Sequence, residues 1–169
     1  RELGGIDILV NCAAKPGGYV HTLQDGAHEL LGEDLDTKVL GYLRCIEAVA
    51  PGMQTAGWGR IVNIGGLAAR SSGSLSGMRN LALTHLSKTL SDQLGSSGIT
   101  VNAVHPGATR TGPPGQEDPR GRTADNAIGR IVDAREIAWL VAFLCSPKAG
   151  AITGESIGAG GGVGQAVFS

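Results

Sequence analysis

Three short apolar runs bounded by glycine or small residues constrain this chain more than any other feature: IDILVNCAA (6–14), GRIVNIGG (59–66) and GITVNAVHPG (98–107). Runs of this length without polar alternation mark strands covered on both faces, the condition of a parallel sheet between two layers of helix. The intervals suit crossover helices, LLGEDLDTKVLGYLRCIEAVAPGM (30–53) and GMRNLALTHLSKTLSDQLG (77–95). In the second, Leu83, Leu86, Leu90 and Leu94 form one stripe of a 3.6-residue period, Gly95 stands where a C-cap belongs, and Ser76 stands where an N-cap belongs. Strand, helix, strand, helix, strand predicts an α/β fold with a doubly wound parallel sheet.

The remaining segments fit one domain spanning residues 1–169. At 41% apolar and 17% charged residues a buried core is expected. A formal net charge of −1, with both signs interspersed, offers no basic field for nucleic acid and no polybasic patch for a membrane. Cys12, Cys45 and Cys145 are an odd, scattered set, which points to a reducing compartment and hence the cytoplasm, not to disulfides or a zinc site. The opening RELGGIDILVN has neither a start Met nor a signal sequence and reads as the tail of a helix already under way, so the expectation is a chain lacking upstream elements. EIAWLVAFLC (136–145) reads as a buried helix, and GATRTGPPGQEDPRGRTADNAIGR (107–130) as a lid or binding loop. The glycine-rich GAGGGVG contains no GxGxxG register and has no helix-length segment after it, so it reads as a strand end.

Four segments in order, DILVNCAA, GRIVNIGG, VNAVHPGATRT and DAREIAWLVAFLCSPKAGAITGESIGAGGG, resemble the short-chain dehydrogenase/reductase family. The resemblance implies a partial Rossmann-like sheet corresponding to strands 4 to 7 of the family's seven, without the strands that carry the glycine-rich pyrophosphate turn and the residue choosing between NAD and NADP. It implies an NAD(P)-dependent oxidoreductase acting on a carbonyl or alcohol, with NAD or NADP bound in the complete fold and none held in the family's usual manner by this chain alone. The residues it assigns to the cofactor are Asn11, Ala13 and Ala14 beside the adenosine side, Pro106, Gly107, Thr109 and Thr111 around the nicotinamide carboxamide, and Ile64. For Pro106 and Gly107 an ordinary strand-ending turn is the alternative.

The family's Tyr-x-x-x-Lys helix start is altered. By the resemblance Ser76 occupies the Tyr position, Asn80 the Lys position, Gly65 or Gly66 the catalytic Ser position, and Lys38 the Asn position in the preceding helix. Two readings of the cluster Ser74, Ser76, Arg79 and Asn80 stay open. In one, Ser76 caps the helix while Arg79 and Asn80 are solvated or hold a subunit contact. In the other, a reworked site uses Ser74 or Ser76, together with Asn80, as ligand contacts and Lys38 or Arg79 as the positive charge. Tyr19 and His21 follow the first strand at the edge where ligands of open α/β sheets bind. His21 is either a titrating group or a solvated one, and His105 is expected in the core or behind the site. A homo-oligomer is expected, from an apolar outer surface at Tyr42, Ile46 and Val49 and the family's habit of pairing these helices. The alternative to an enzyme is a non-catalytic ligand-binding or oligomeric scaffold of the same fold.

Overall fold

A computed structural model describes residues 4–14, 23, 26–112 and 125–164. Four parallel strands form the sheet: β1 (Ile8–Asn11), β2 (Gly59–Ile64), β3 (Ile99–Pro106) and β6 (Ser156–Ala159), in the order β1-β2-β3-β6. Asn11 lies opposite Asn63, Asn63 opposite Ala103, and Ala103 opposite Ser156. Alternation along each strand splits the apolar side chains between two faces. Ile61, Ile99 and Val101 pack with Ile46, Ala50 and Met53 of α2 (Gly41–Ala56) and Leu94 of α3 (Gly77–Leu94). Val62 and Val104 pack with Leu144 of α4 (Ala134–Leu144) and Ala149. Helix α1 (Ala27–Leu35) runs through a π-helical turn, Asp36–Leu40, into α2. A short ladder of β4 (Thr109–Arg110) and β5 (Val132–Asp133) completes the described fold.

The α/β reading and the parallel sheet hold, with several corrections. In β1, Ile8 and Val10 are 44% and 41% exposed, with no described helix over them, while Leu9 packs against the α2 side of the core. Helix α4 is not buried. Leu144 faces the core, while Trp139 is 69% and Phe143 44% exposed on the outer face. Tyr42 and Ile46 are each 2% exposed and belong to the interior, not to an outer apolar surface. The inner stripe of α3 is polar as well as apolar: Asn80, Ser87 and Ser91 are buried with Leu83 and Leu94, while Leu86 and Leu90 are half-buried. Ser87 earns its place chemically, since its Oγ accepts from Asn63 Nδ2 at 3.0 Å.

Helix α3 also does not end in a left-handed Gly95, whose φ is −58°. A 3-10 turn, Gly95–Ser97, follows, and the left-handed residue is Gly98 at φ 74°. A Cβ at Gly98 would lie 2.2 Å from Gly57 O, so only glycine serves there. The amino end of the sheet is sealed by Arg60, whose guanidinium donates to Gly59 O at 2.8 Å and lies 4.5 Å from the Trp58 ring centre. Glycine-rich residues 160–162 follow β6, as expected of a strand end. The lid reading falls largely on residues 113–124, and Tyr19 and His21 on 15–22, outside the described residues.

Candidate active site

The carboxyl edge of the sheet collects Cys12–Ala14 after β1, Gly65 and Gly66 after β2, and Gly107 after β3. Two helical junctions bring polar groups to this edge. The π turn before α2 carries Lys38 inward, to 4% exposure, and its Nζ donates to Gly65 O at 3.1 Å. An ammonium has three N–H donors, so one bond leaves two for other acceptors. Burial, and after it the positive field of Arg79, brings the Lys38 pKa down from 10.5 to about 8, against the opposing pull of Asp34 and Cys12. Asp34 on α1 and Arg79 on α3 form a buried ion pair. The three groups therefore hold two positive charges and one negative out of water.

The start of α3 supplies the second group. Asn80 is 2% exposed, and its Oδ1 accepts no hydrogen bond from any described residue. A Cβ on Gly66 would stand 3.0 Å from Asn80 Nδ2, so the missing side chain at position 66 brings the carboxamide onto the Gly65–Gly66 turn. Ser76, one helical turn earlier, is fully buried. Its backbone is already helical at φ −64° and ψ −10°, and its hydroxyl does not cap the helix, so the capping reading is corrected. Ser76 N donates instead to Ser74 Oγ at 3.2 Å. Arg79 and Asn80 are both interior, which overturns the expectation that they are solvated or held at a subunit surface.

Tyr42 ties the turn to β1. Its hydroxyl donates to Ala13 O at 2.8 Å and also lies 3.3 Å from Ile64 O, and burial pushes the phenol above its ordinary range. It is a positioned donor and no acid or base near neutrality. Of the expected cofactor residues, Asn11 is buried and engaged by Asn63, with Nδ2 donating to Oδ1 at 2.9 Å. Ala13, Ala14 and Thr111 are exposed, and Ile64, Pro106, Gly107 and Thr109 are half-buried. Gly107 has a reason independent of any ligand: a Cβ there would lie 2.8 Å from the Gly160 Cα. Thr109 Oγ1 donates back to Gly107 O at 2.9 Å, and β4 is held by the Arg110–Asp133 pair at 2.9 Å.

The structure thus gathers Lys38, Gly65, Gly66 and Asn80, with Ser76 on the same helix. It adds Asp34 and Thr84, which the sequence did not bring forward, and Tyr42, expected only on an outer surface. Asp34 and Lys38 stand four residues apart, the one signal that could have joined them in advance.

The family model for enoyl-(acyl carrier protein) reductase matches residues 1–164. The chain is 33% identical to the short-chain reductase protein NovJ of Streptomyces niveus, over 96% of this chain and 66% of NovJ. It is 35% identical to the 3-oxoacyl-[acyl-carrier-protein] reductase FabG of Vibrio cholerae, over 96% of this chain and 68% of that protein. A crystal structure of a 3-oxoacyl-[acyl-carrier protein] reductase with bound NAD from Brucella melitensis superposes with a TM-score of 0.81 at 27% identity, covering 95% of this chain and 63% of that one. The chain spans about two thirds of the length of these relatives. The match over residues 1–164, together with the four parallel strands, places it: the chain belongs to the short-chain dehydrogenase/reductase family.

Proposed function

We propose that these 169 residues form the nicotinamide side of an NAD(P)-dependent carbonyl or alcohol oxidoreductase whose usual catalytic positions have been reworked. The observation that carries the reading is the pairing of Lys38, buried with two N–H donors to spare, and Asn80, buried with an orphaned carboxamide oxygen, on either side of the Gly65–Gly66 turn. A buried acceptor without a donor costs about 1–3 kcal/mol, which a ligand hydroxyl would recover. The residues fit the nicotinamide–ribose half of the cofactor. Asn80 Oδ1 would accept from a ribose hydroxyl, and Pro106, Gly107 and Thr109 would line the carboxamide. Asn11 Nδ2 already donates to Asn63, so that donor is engaged within the sheet. The bound cofactor supplies the hydride.

In this reading a serine at position 76 cannot do a tyrosine's work, since its hydroxyl ionises far above the phenol's ~10. Lys38 takes the role of the charged group: its ammonium stabilises negative charge on the reacting oxygen, and its pKa of about 8 lets it gain or lose a proton near neutrality. Cytoplasmic localisation and a homo-oligomer complete the reading; no helix among the described residues is long and apolar enough to cross a membrane. With Tyr42 and Ile46 interior, the exposed Trp139 and Phe143 of α4 are the support that remains for self-association.

The test is titration of the 169-residue protein with reduced nicotinamide mononucleotide, a probe that lacks the adenosine half, followed by its fluorescence. Saturable binding is expected, weakened about tenfold in Asn80→Ala, the scale of one lost buried hydrogen bond. No binding, or equal binding by the variant, would overturn the reading. The scaffold alternative predicts equal binding or none.

A further inference from the structure

Strand β3 delivers a fully buried histidine, His105, directly behind the Gly65–Gly66 turn. Its Nδ1 is 3.1 Å from Gly66 N and 3.2 Å from Gly66 O, and its Nε2 is 3.0 Å from Thr84 Oγ1. Thr84 Oγ1 is 3.2 Å from Asn80 O. A Cβ on Gly65 would lie 2.4 Å from Nδ1 and 2.5 Å from Cε1, so the imidazole fills the space that a side chain at position 65 would need. We infer that His105 is a positioning residue, holding its proton on Nε2 and fixing the Gly66 turn and the Asn80 end of α3 in one register. This rests on the proposed function for its consequence, and on hydrogen-bond geometry for its form.

The tautomer follows from which partners have a choice. Gly66 N–H can only donate, so Nδ1 must present its lone pair. Nε2–H then donates to Thr84 Oγ1, and the Thr84 hydroxyl donates to Asn80 O. Each of these three donors has one acceptor. The other tautomer would turn Nδ1–H toward Gly66 O, leave Gly66 N–H without an acceptor here, and swing the Thr84 proton away from Asn80. A charged ring meets the same difficulty at Nδ1. Burial, Arg70 from the 3-10 turn after β2 and Lys38 from the π turn all disfavour it, and only the contact with Gly66 O favours it. Losing the clamp frees the turn that bears the Lys38 acceptor, Gly65 O, and the face of Asn80.

The experiment is a long-range proton–nitrogen spectrum of the histidine-labelled 169-residue protein between pH 8 and 5.5. The His105 signals are assigned by their loss in His105→Asn. The expected pattern is an unprotonated Nδ1 and a protonated Nε2, unchanged across the range. A protonated Nδ1, or titration near the ordinary 6.5, would overturn the assignment. Backbone and side-chain amide shifts then separate positioning from packing. Thr84→Val should move Asn80 and spare Gly66. His105→Asn, which keeps an acceptor for Gly66 N–H, should hold Gly66 close to its wild-type shift, whereas His105→Leu should displace both and weaken reduced nicotinamide mononucleotide about tenfold. If Asn and Leu displace Gly66 alike, the ring is only packing and the inference fails. If no variant or wild type binds the nucleotide, the proposed function falls, while the tautomer and shift patterns still decide His105. Should His105→Leu not fold, the wild-type tautomer and Thr84→Val suffice to refute or sustain it.

Discussion

Replacing Lys38 with methionine should make the protein more stable at neutral pH. In the folded chain the ammonium is buried beside a second cation, Arg79, and its pKa falls from 10.5 to about 8. At 1.36 kcal/mol per pKa unit, the 2.5-unit difference (10.5 − 8) is a penalty of about 3 kcal/mol on the charged folded state. The sign is set by which state binds more protons. Between pH 8 and 10.5 the unfolded lysine stays protonated while the folded one releases its proton, so stability rises with pH across that window and is flat with respect to this group below it. Methionine removes the penalty and keeps most of the volume, but forfeits the hydrogen bond to Gly65 O, worth about 1 kcal/mol. The net expectation is a gain of about 2 kcal/mol at pH 7 that shrinks and reverses as pH approaches 10.5. Urea unfolding of wild type and Lys38→Met at several pH values from 7 to 10.5 measures it, with the other lysines cancelling in the difference. A variant less stable than wild type at pH 7, with a pH-independent difference, would show that Lys38 is an ordinary satisfied residue and would refute the reasoning. A destabilising residue retained at a ligand-binding edge is the trade-off expected of a functional group.

Asp34→Asn should cost about 3–5 kcal/mol, because it leaves Arg79 and Lys38 buried without their anion, and should lower the Lys38 pKa further; chemical denaturation and the pH dependence of stability report the two effects. Asn80→Ala should change stability without ligand by less than about 1 kcal/mol, since it removes an orphaned acceptor, which a thermal melt checks. Gly65→Ala drives a methyl into the His105 ring and should destabilise by about 1–3 kcal/mol, whereas an exposed Gly→Ala control at Gly73 should not. The 169 residues alone are expected to oxidise or reduce nicotinamide cofactors no faster than buffer with a panel of short alcohols, aldehydes and ketones, and any rate above that control contradicts the division of the site. Light scattering at micromolar concentration should give a mass above the monomer, and Trp139→Glu should lower it.

Periodicity carried the strands and helices because burial of a parallel sheet dictates their pattern: GRIVNIGG and GITVNAVHPG read as covered strands and are β2 and β3. It failed where coverage depends on neighbours. Ile8 and Val10 look identical in sequence to Ile61 and Val62, yet no described helix covers them. Trp139 and Phe143 look like core and lie on an uncovered helix face. On the site, the resemblance brought Ser76, Asn80 and Lys38 forward as substituted positions; Lys38 and Asn80 both reach the Gly65–Gly66 turn, and Ser76 is buried at the start of α3. Their chemistry was not legible. That Arg79 is an interior charge depends on Asp34 arriving from another helix, and that Ser76 does not cap depends on a helical backbone at a position whose residue type favours capping. For His105 the sequence left core and a place behind the site open, and its clamp on Gly66 needs the distances across β2, β3 and α3.

The central claim is that Asn80 and Lys38 face the nicotinamide ribose across the Gly65–Gly66 turn. Nuclear Overhauser contacts between reduced nicotinamide mononucleotide and the labelled 169-residue protein test it most directly. The account predicts contacts from ribose protons to the Asn80 side-chain amide, with shifts at Gly66 and at the Lys38 Nζ. Contacts confined to other residues, with Asn80 and Lys38 unmoved at saturation, would contradict it.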